Sequence, residues 1–413
     1  MCSGSAAGSA VRFSFCVLLL AAPPVRGEDP SRLEQLLARA RPSAEELAVA
    51  SELANARREL GATSARFAEG PTLGVEAGPR RSDGSTDADL SVELDLPLLA
   101  KANGRGEVLA ALERAESSLP AAARAETRGR IAAAYISAWA AEREALLRGE
   151  DVRTVERWLQ IARRRLDQGA EAAFEIDLIG FDREQARAAR AEALAARAAA
   201  WAQLAVWVEP PLSPLPSPGS SEPLAEPLPP DLPPDGELAP RLEAAPLALA
   251  LGARRDLSVS LARFEQARAQ SRWALRSSVA REAEESVARF GLAYRFPLAA
   301  ERPVAEQALR AAVAAADRES EQGRAELRGR FVAARSRYAA LAADLPPSGE
   351  TAPSPERALA AIELRLAEGK ARPSEALLMR RAVIAAELAR IQRRAAWLAA
   401  SWELDVLIGE VKP

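Results

Sequence analysis

Two copies of one pattern, 200 residues apart, constrain what this chain can become. Arg165-Leu166-Asp167-Gln168-Gly169 recurs as Arg365-Leu366-Ala367-Glu368-Gly369. At the same offset Leu204 meets Leu404, Val206 meets Val406, Glu175 meets Glu375, and Pro97-Leu98 meets Pro297-Leu298. One register kept at so many separated places marks a tandem duplication. Each copy reads as a long helix, a turn at Gly169 or Gly369, and a helix running back, because glycine accepts the left-handed conformation that ends a helix. The expected fold is mainly α: two tandem repeats of long coiled-coil helical hairpins plus a few β-strands.

Composition supports helix throughout. Ala, Leu, Arg and Glu dominate, and they lose little on entering a helix. Aromatic residues make up only 5%, which favours close helix packing through alanine over large aromatic cores. The 55 basic and 58 acidic residues are interspersed, so the chain lacks the one-sided basic footprint of a nucleic-acid binder. Arg12, the apolar run Phe13 to Val25 and the small Gly27 read as a secretory signal peptide, too short to span a membrane. Cleavage near Gly27 would remove both cysteines, Cys2 and Cys16, and bring the net charge from −3 to −5. The expected division is 1–27 signal peptide, 28–209 first repeat, 210–240 proline-rich connector and 241–413 second repeat.

Along the chain, Pro30 to about Ala68 reads as helix, with Ser43 and Glu46 in capping-box form. Leu73, Val75 and Ala77 then alternate with polar or small residues. After a loop at Arg80 to Thr86, so do Leu90, Val92, Leu94 and Leu96, the period of strands with one apolar face. Such a pair fits a membrane β-barrel or, equally, a hairpin packed on a helical body. Arg105 to Gln168 reads as one long helix that Pro120 or Gly149 would kink. Its seam is Val152, Val155, Leu159, Ala162 and Leu166, and Phe174 to Val208 forms the return. Residues 210–240 hold 12 of the 29 prolines and read as an extended connector, with helix resuming by about Leu257. Phe290, Leu292, Tyr294 and Phe296 mirror the Leu90 to Leu96 strand. Ser278 to Val287 carries charge on both parities and is not expected to be a membrane strand. Helix is expected from Val304 to Ala343, a break at Pro346-Pro347, and helix again from about Glu356 with the stripe Ile384, Leu388, Ile391, Ala395, Leu398 and Trp402.

These features together resemble the outer-membrane efflux protein family, the TolC-like exit ducts. Arg254-Arg255-Asp256-Leu257 is similar to that family's Arg-Pro-Asp-Leu helix start. Leu96-Pro97-Leu98 and Phe296-Pro297-Leu298 resemble its strand-ending Pro-Leu pair, and Gly169 and Gly369 its hairpin-tip glycines. Short length and a brief first strand loop look most like the heavy-metal efflux branch. The resemblance implies that three copies share one barrel, with helices continuing as a pseudo-sixfold tube through the periplasm to an adaptor and an inner-membrane pump. It implies a bacterial outer-membrane location. It also implies an acidic constriction at Glu375, six residues after Gly369, with Glu175 and Asp177 at the first tip. The family's further acidic position is Leu378 here.

Chemistry is sparse. The chain has no histidine, and beyond Gly27 no cysteine, which removes the usual metal ligands and the His- or thiol-based nucleophile systems. No phosphate-cradling glycine motif occurs. Neither an enzyme nor a cofactor is expected. The reading of a different class is a periplasmic coiled-coil adaptor or scaffold, which would carry β-rich lipoyl-like segments around its hairpin.

Overall fold

The computed structural model describes residues 33, 36–37, 40, 42–62, 72–82, 85–98, 103–169, 172–207, 224–269, 273–282, 285–294, 301–344 and 354–409. The signal-peptide segment, Pro297 and the Pro346-Pro347 break lie outside these residues. In order the elements are α1 (Ala44–Ala62), β1 (Thr72–Ser82), β2 (Ser85–Leu98), α2 (Asn103–Asp167), α3 (Ala173–Ala205), α4 (Asp235–Ala244), α5 (Pro246–Ala269), β3 (Trp273–Glu282), β4 (Glu285–Tyr294), α6 (Glu301–Ala343), α7 (Pro355–Ala367) and α8 (Pro373–Ile408). The duplication is visible in the element bounds. β2 and β4 begin at 85 and 285, α3 and α8 at 173 and 373, and α2 and α7 end at 167 and 367.

The spine is α2, 65 residues in one helix and about 98 Å long at 1.5 Å per residue. Pro120 removes one rung from its ladder and Gly149 none, and the helix runs through both. α2 packs on α1, α3, α5, α7 and α8, so it touches both repeats. Its buried face is rich in alanine, with Ala111, Ala115, Ala132, Ala138 and Ala162 fully covered, which lets neighbouring backbones approach closely. Of the expected seam, Val152, Val155, Leu159 and Ala162 are buried; Leu166, at the fraying end of the helix, is 36% exposed. In the second repeat Ile384, Ile391, Leu398 and Trp402 are buried.

The sheet is four-stranded and antiparallel, in order β1-β2-β3-β4. Ser278 to Val287 is not a single failed strand. It straddles the turn between β3 and β4, so the second repeat contributes two strands, as the first does. In an antiparallel hairpin with a two-residue turn the parity of each face changes across the turn, so one alternation read through that window mixes both faces. The Arg80 to Thr86 loop also proved mostly strand, since Arg80, Arg81 and Ser82 pair with Asp87, Thr86 and Ser85.

Cross-strand pairing sorts the sheet into two unlike faces. Leu73 pairs with Leu94 and Val75 with Val92; Val92 pairs with Val279, which pairs with Ala288; Leu275 pairs with Leu292. Leu94 stands opposite Ser277, which stands opposite Phe290. Directly opposed residues share a face, so these positions form one largely apolar surface, interrupted by Ser277 and, opposite Leu90, by Arg281. Across the pleat, Gly74, Glu93, Ser278 and Arg289 form one transverse line of the other face.

Helix returns earlier than the proline count suggests, at Asp235 and not near Leu257. Pro234 sits at the N-cap of α4 and Pro246 opens α5, positions where a missing N–H costs little; Pro240 leaves one rung of α4 unmade. The preceding connector is fastened to the helices. Glu142, 4% exposed, accepts from the Leu224 N–H at 2.7 Å, and the Tyr135 hydroxyl donates to the Ala225 carbonyl at 2.8 Å. Arg394 pairs with Glu226, and Trp402 Nε1 donates to the Leu228 carbonyl at 3.3 Å.

Candidate functional site

Three places stand out as candidate sites: the sheet's apolar face, the pair of hairpin tips, and a buried polar knot between the hairpins. At the sheet, Leu73 is 67% exposed, Phe290 80% and Leu292 66%, and Val75 and Val279 are exposed beside them. The helical body leaves this surface uncovered. A contiguous apolar sheet face of this kind is rare on a soluble monomer and marks a protein or membrane contact. Pro97 lies within β2, opposite Ala274, one residue before the strand ends.

At the tips, Gly169 has φ of +71° and Gly369 +74°, the left-handed region that excludes most side chains. The Gly169 N–H donates to the Leu166 carbonyl and the Gly369 N–H to the Leu366 carbonyl, while Lys370 and Ala371 N–H groups donate to Arg365. The two tips are tied to each other. Arg165 Nη1 donates to the Leu366 carbonyl at 2.8 Å, a second donor to the oxygen that already accepts from the Gly369 N–H. Glu375 sits in the first turn of α8, exposed, with its carboxylate accepting from the Arg372 N–H at 3.4 Å. Glu175 is the matching first-turn residue of α3, half-buried, and Asp177 is exposed. Both glutamates therefore lie where a helix N-terminus favours negative charge.

The polar knot was not anticipated from the sequence. Arg380 of α8 reaches between Asp151 of α2, at 2.5 Å, and Asp182 of α3; its neighbour Arg381 places Nε and Nη2 at 3.0 and 2.6 Å from Asp182 Oδ1. Side-chain exposure is 4% for Arg380, 5% for Asp151 and 1% for Asp182. The surroundings are apolar, with Val152, Val155, Trp158, Ile179, Leu366 and Leu377 contributed by all four helices of the two hairpins. Burial pushes the Asp151 carboxyl above its ordinary range; the Arg380 charge and hydrogen bond pull it back, and the nearby Asp182 charge adds to the rise. A signal was available. The apolar stripe of α8, Leu377, Ile384, Ile391 and Leu398, repeats every seven residues, and Arg380 falls inside it; Asp182 falls likewise between Ile179 and Ala186 on α3. Opposite charges in the stripes of facing helices are a pairing signal.

No known family profile matches the chain, and no curated protein sequence matches it. Solved structures do. The outer-membrane protein VceC of Vibrio cholerae is similar over 92% of this chain and 96% of its own, with a TM-score of 0.69 at 13% identity. The fold is that of the TolC-like outer-membrane channels. The CmeC outer-membrane channel of Campylobacter jejuni matches over 91% of this chain and 85% of its own, TM-score 0.67 at 14% identity. The MtrE outer-membrane channel of Neisseria gonorrhoeae matches over 91% and 88%, TM-score 0.55 at 18% identity. The matches do not single out the heavy-metal branch. Among the described residues no helix is long and apolar enough to cross a membrane, which bears on helices alone and not on a barrel.

Proposed function

We propose that this chain is the outer-membrane exit duct of a multi-component efflux system. It passes solutes from a periplasmic adaptor and inner-membrane pump to the exterior. The observation that carries the reading is the one-sided sheet. Its strands are 11, 14, 10 and 10 residues long, close to the roughly 9 to 11 that a tilted strand needs to cross a bilayer core. One face is largely apolar, with Leu73, Val75, Val279, Phe290 and Leu292 exposed; the other carries Glu93, Arg276 and Arg289. That is the lipid-out, water-in pattern of a barrel wall.

Four strands in one chain leave β1 and β4 as open edges, and lipid offers those edges no hydrogen-bond partners, so closure requires other copies. Phe174, Phe181 and Leu378 are exposed on the hairpins in a single chain, the expected state of seams that neighbouring copies would cover. A homotrimer, as the resemblance implies, would join twelve strands and six hairpins. The adaptor alternative would need β-rich lipoyl-like segments, and the four-stranded sheet is not of that kind.

At the far end, Glu375 from each copy, with Glu175 and Asp177, would form an acidic mouth. A ring of carboxylates in a narrow opening focuses its field and favours cations. In planar-bilayer recordings, Glu375→Gln should reduce cation preference and weaken block by divalent cations. Unchanged preference and block would leave Glu375 with only its helix-capping role.

A further inference from the structure

The polar face of the sheet is divided by charge. In one transverse line Gly74, Glu93, Ser278 and Arg289 follow each other across the four strands; in the next, Thr72, Asp95, Arg276 and Gly291 do. Glu93 is half-buried, whereas Arg276 and Arg289 are exposed. Gly74 and Gly291 add no side chain beside them, so the wall is unobstructed where the charges stand. The division follows the duplication: at the 200-residue offset Glu76 becomes Arg276 and Asp89 becomes Arg289. Each pair keeps its strand position and parity but reverses its sign. Keeping a wall wet requires charge, yet it does not require sign reversal at matched positions.

We propose that Glu93 and Asp95 of the first repeat and Arg276 and Arg289 of the second form a mixed-charge belt lining the barrel where its strands join the helices, and that this belt's balance, together with the acidic mouth at Glu375, sets the ion preference of the duct. The inference rests on the duct reading given above. Within these two lines, in a barrel closed from identical copies, Glu93 and Asp95 of each first repeat alternate with Arg276 and Arg289 of each second repeat around the circumference, while nearer the hairpin turn Glu282 and Glu285 share the face. Opposite sectors cancel along the axis, so the belt holds back neither small cations nor small anions. Low-dielectric walls focus whatever net charge remains, and at physiological salt an exposed charge acts over about 8 Å before it is screened. Removing the arginines leaves acidic sectors alone and turns the belt into a cation filter. Removing Glu93 acts in the opposite sense.

The test uses the full chain in planar bilayers, reading the reversal potential under a potassium chloride gradient. The double variant Arg276→Gln/Arg289→Gln should raise the potassium-to-chloride permeability ratio several-fold. Glu93→Gln should lower it, and Arg276→Lys/Arg289→Lys should keep the wild-type ratio. Conducting pores whose ratio is the same in wild type, the double glutamine variant and Glu93→Gln overturn the belt while leaving the duct intact. So does a lysine variant that shifts as far as the glutamine one. If the double glutamine variant fails to insert, Glu93→Gln decides: a lowered ratio supports the belt and an unchanged one overturns it. Wild-type protein that forms no pores at all overturns the duct reading itself.

Discussion

Replacing Arg380 by methionine tests how the two hairpins are held together. The substitution keeps an unbranched apolar stem of similar length and removes the charge that Asp151 and Asp182 share. The two carboxylates do not suffer equally. Asp182 keeps Arg381, with nitrogens at 3.0 and 2.6 Å, whereas Asp151 loses the ion pair that Arg380 makes with it at 2.5 Å. Breaking a buried ion pair from one side costs about 3 to 5 kcal/mol, and the retained Arg381 contact places the expectation near the lower end, about 3 kcal/mol at neutral pH. The loss should depend on pH. Burial raises the folded-state pKa of Asp151 above its unfolded value, so folding favours the protonated carboxyl. That contribution is complete below the unfolded carboxylate range and is lost as pH rises through the raised value. Without Arg380 the two strongest influences that lower the value are gone, and it rises further. The variant should therefore be weakened most near neutral pH and recover toward wild type as the pH is lowered toward the ordinary carboxylate range. Thermal unfolding of the detergent-solubilised protein, followed by circular dichroism at neutral pH and at that lower pH, measures this. An Arg380→Met midpoint equal to wild type near neutral pH, or an equal loss at both, refutes the reasoning. Asp151→Leu/Arg380→Met should regain most of the loss, because an apolar pair replaces a charged one without an orphan.

Two further perturbations address the wall and the connector. Single cysteines at Val279, Phe290 and Leu292 should react slowly with an aqueous thiol reagent in native membranes, and one at Ser278 on the opposite face should react fast; equal rates would remove the lipid assignment. Glu142→Ala should free the Leu224 N–H and leave the guanidinium of Arg197, 3.2 Å from Glu142 and 12% exposed, without its carboxylate, at a cost of about 3 kcal/mol. Limited proteolysis should then cut the 210–240 connector faster than in wild type; an unchanged rate would mean that the strap contributes nothing to holding it.

Much of the architecture was legible because the duplication is long and in register. The Gly turns at 169 and 369, the strand starts at 85 and 285 and the return-helix starts at 173 and 373 all keep the 200-residue offset. Helix was readable from periodic apolar stripes that packing then used, as at Ile384, Ile391 and Leu398. What failed has physical causes. The Ser278 to Val287 window crossed a hairpin turn, so the ends of two strands were read as one; its charges, Arg281 on one face and Glu282 and Glu285 on the other, cluster at that turn. The start of α4 at Asp235 was hidden because a proline count averages over the segment, while a proline's effect depends on its place in the helix. The polar knot was missed since Arg380 and Asp182 read as interruptions of apolar stripes until the stripes are set face to face. Glu375 illustrates the opposite case. Its position after the tip glycine was legible, and the structure adds a local reason for a carboxylate there, the Arg372 N–H that it caps.

The most direct test of the central claim is the mass of the complex extracted from outer membranes in mild detergent. A duct with open edges at β1 and β4 requires neighbours, so the particle should contain three chains, stay intact on dilution, and need detergent to remain soluble. A folded monomer that is stable in detergent-free buffer would contradict it, for then the exposed face of Leu73, Phe290 and Leu292 would need no lipid and the strand edges no partner.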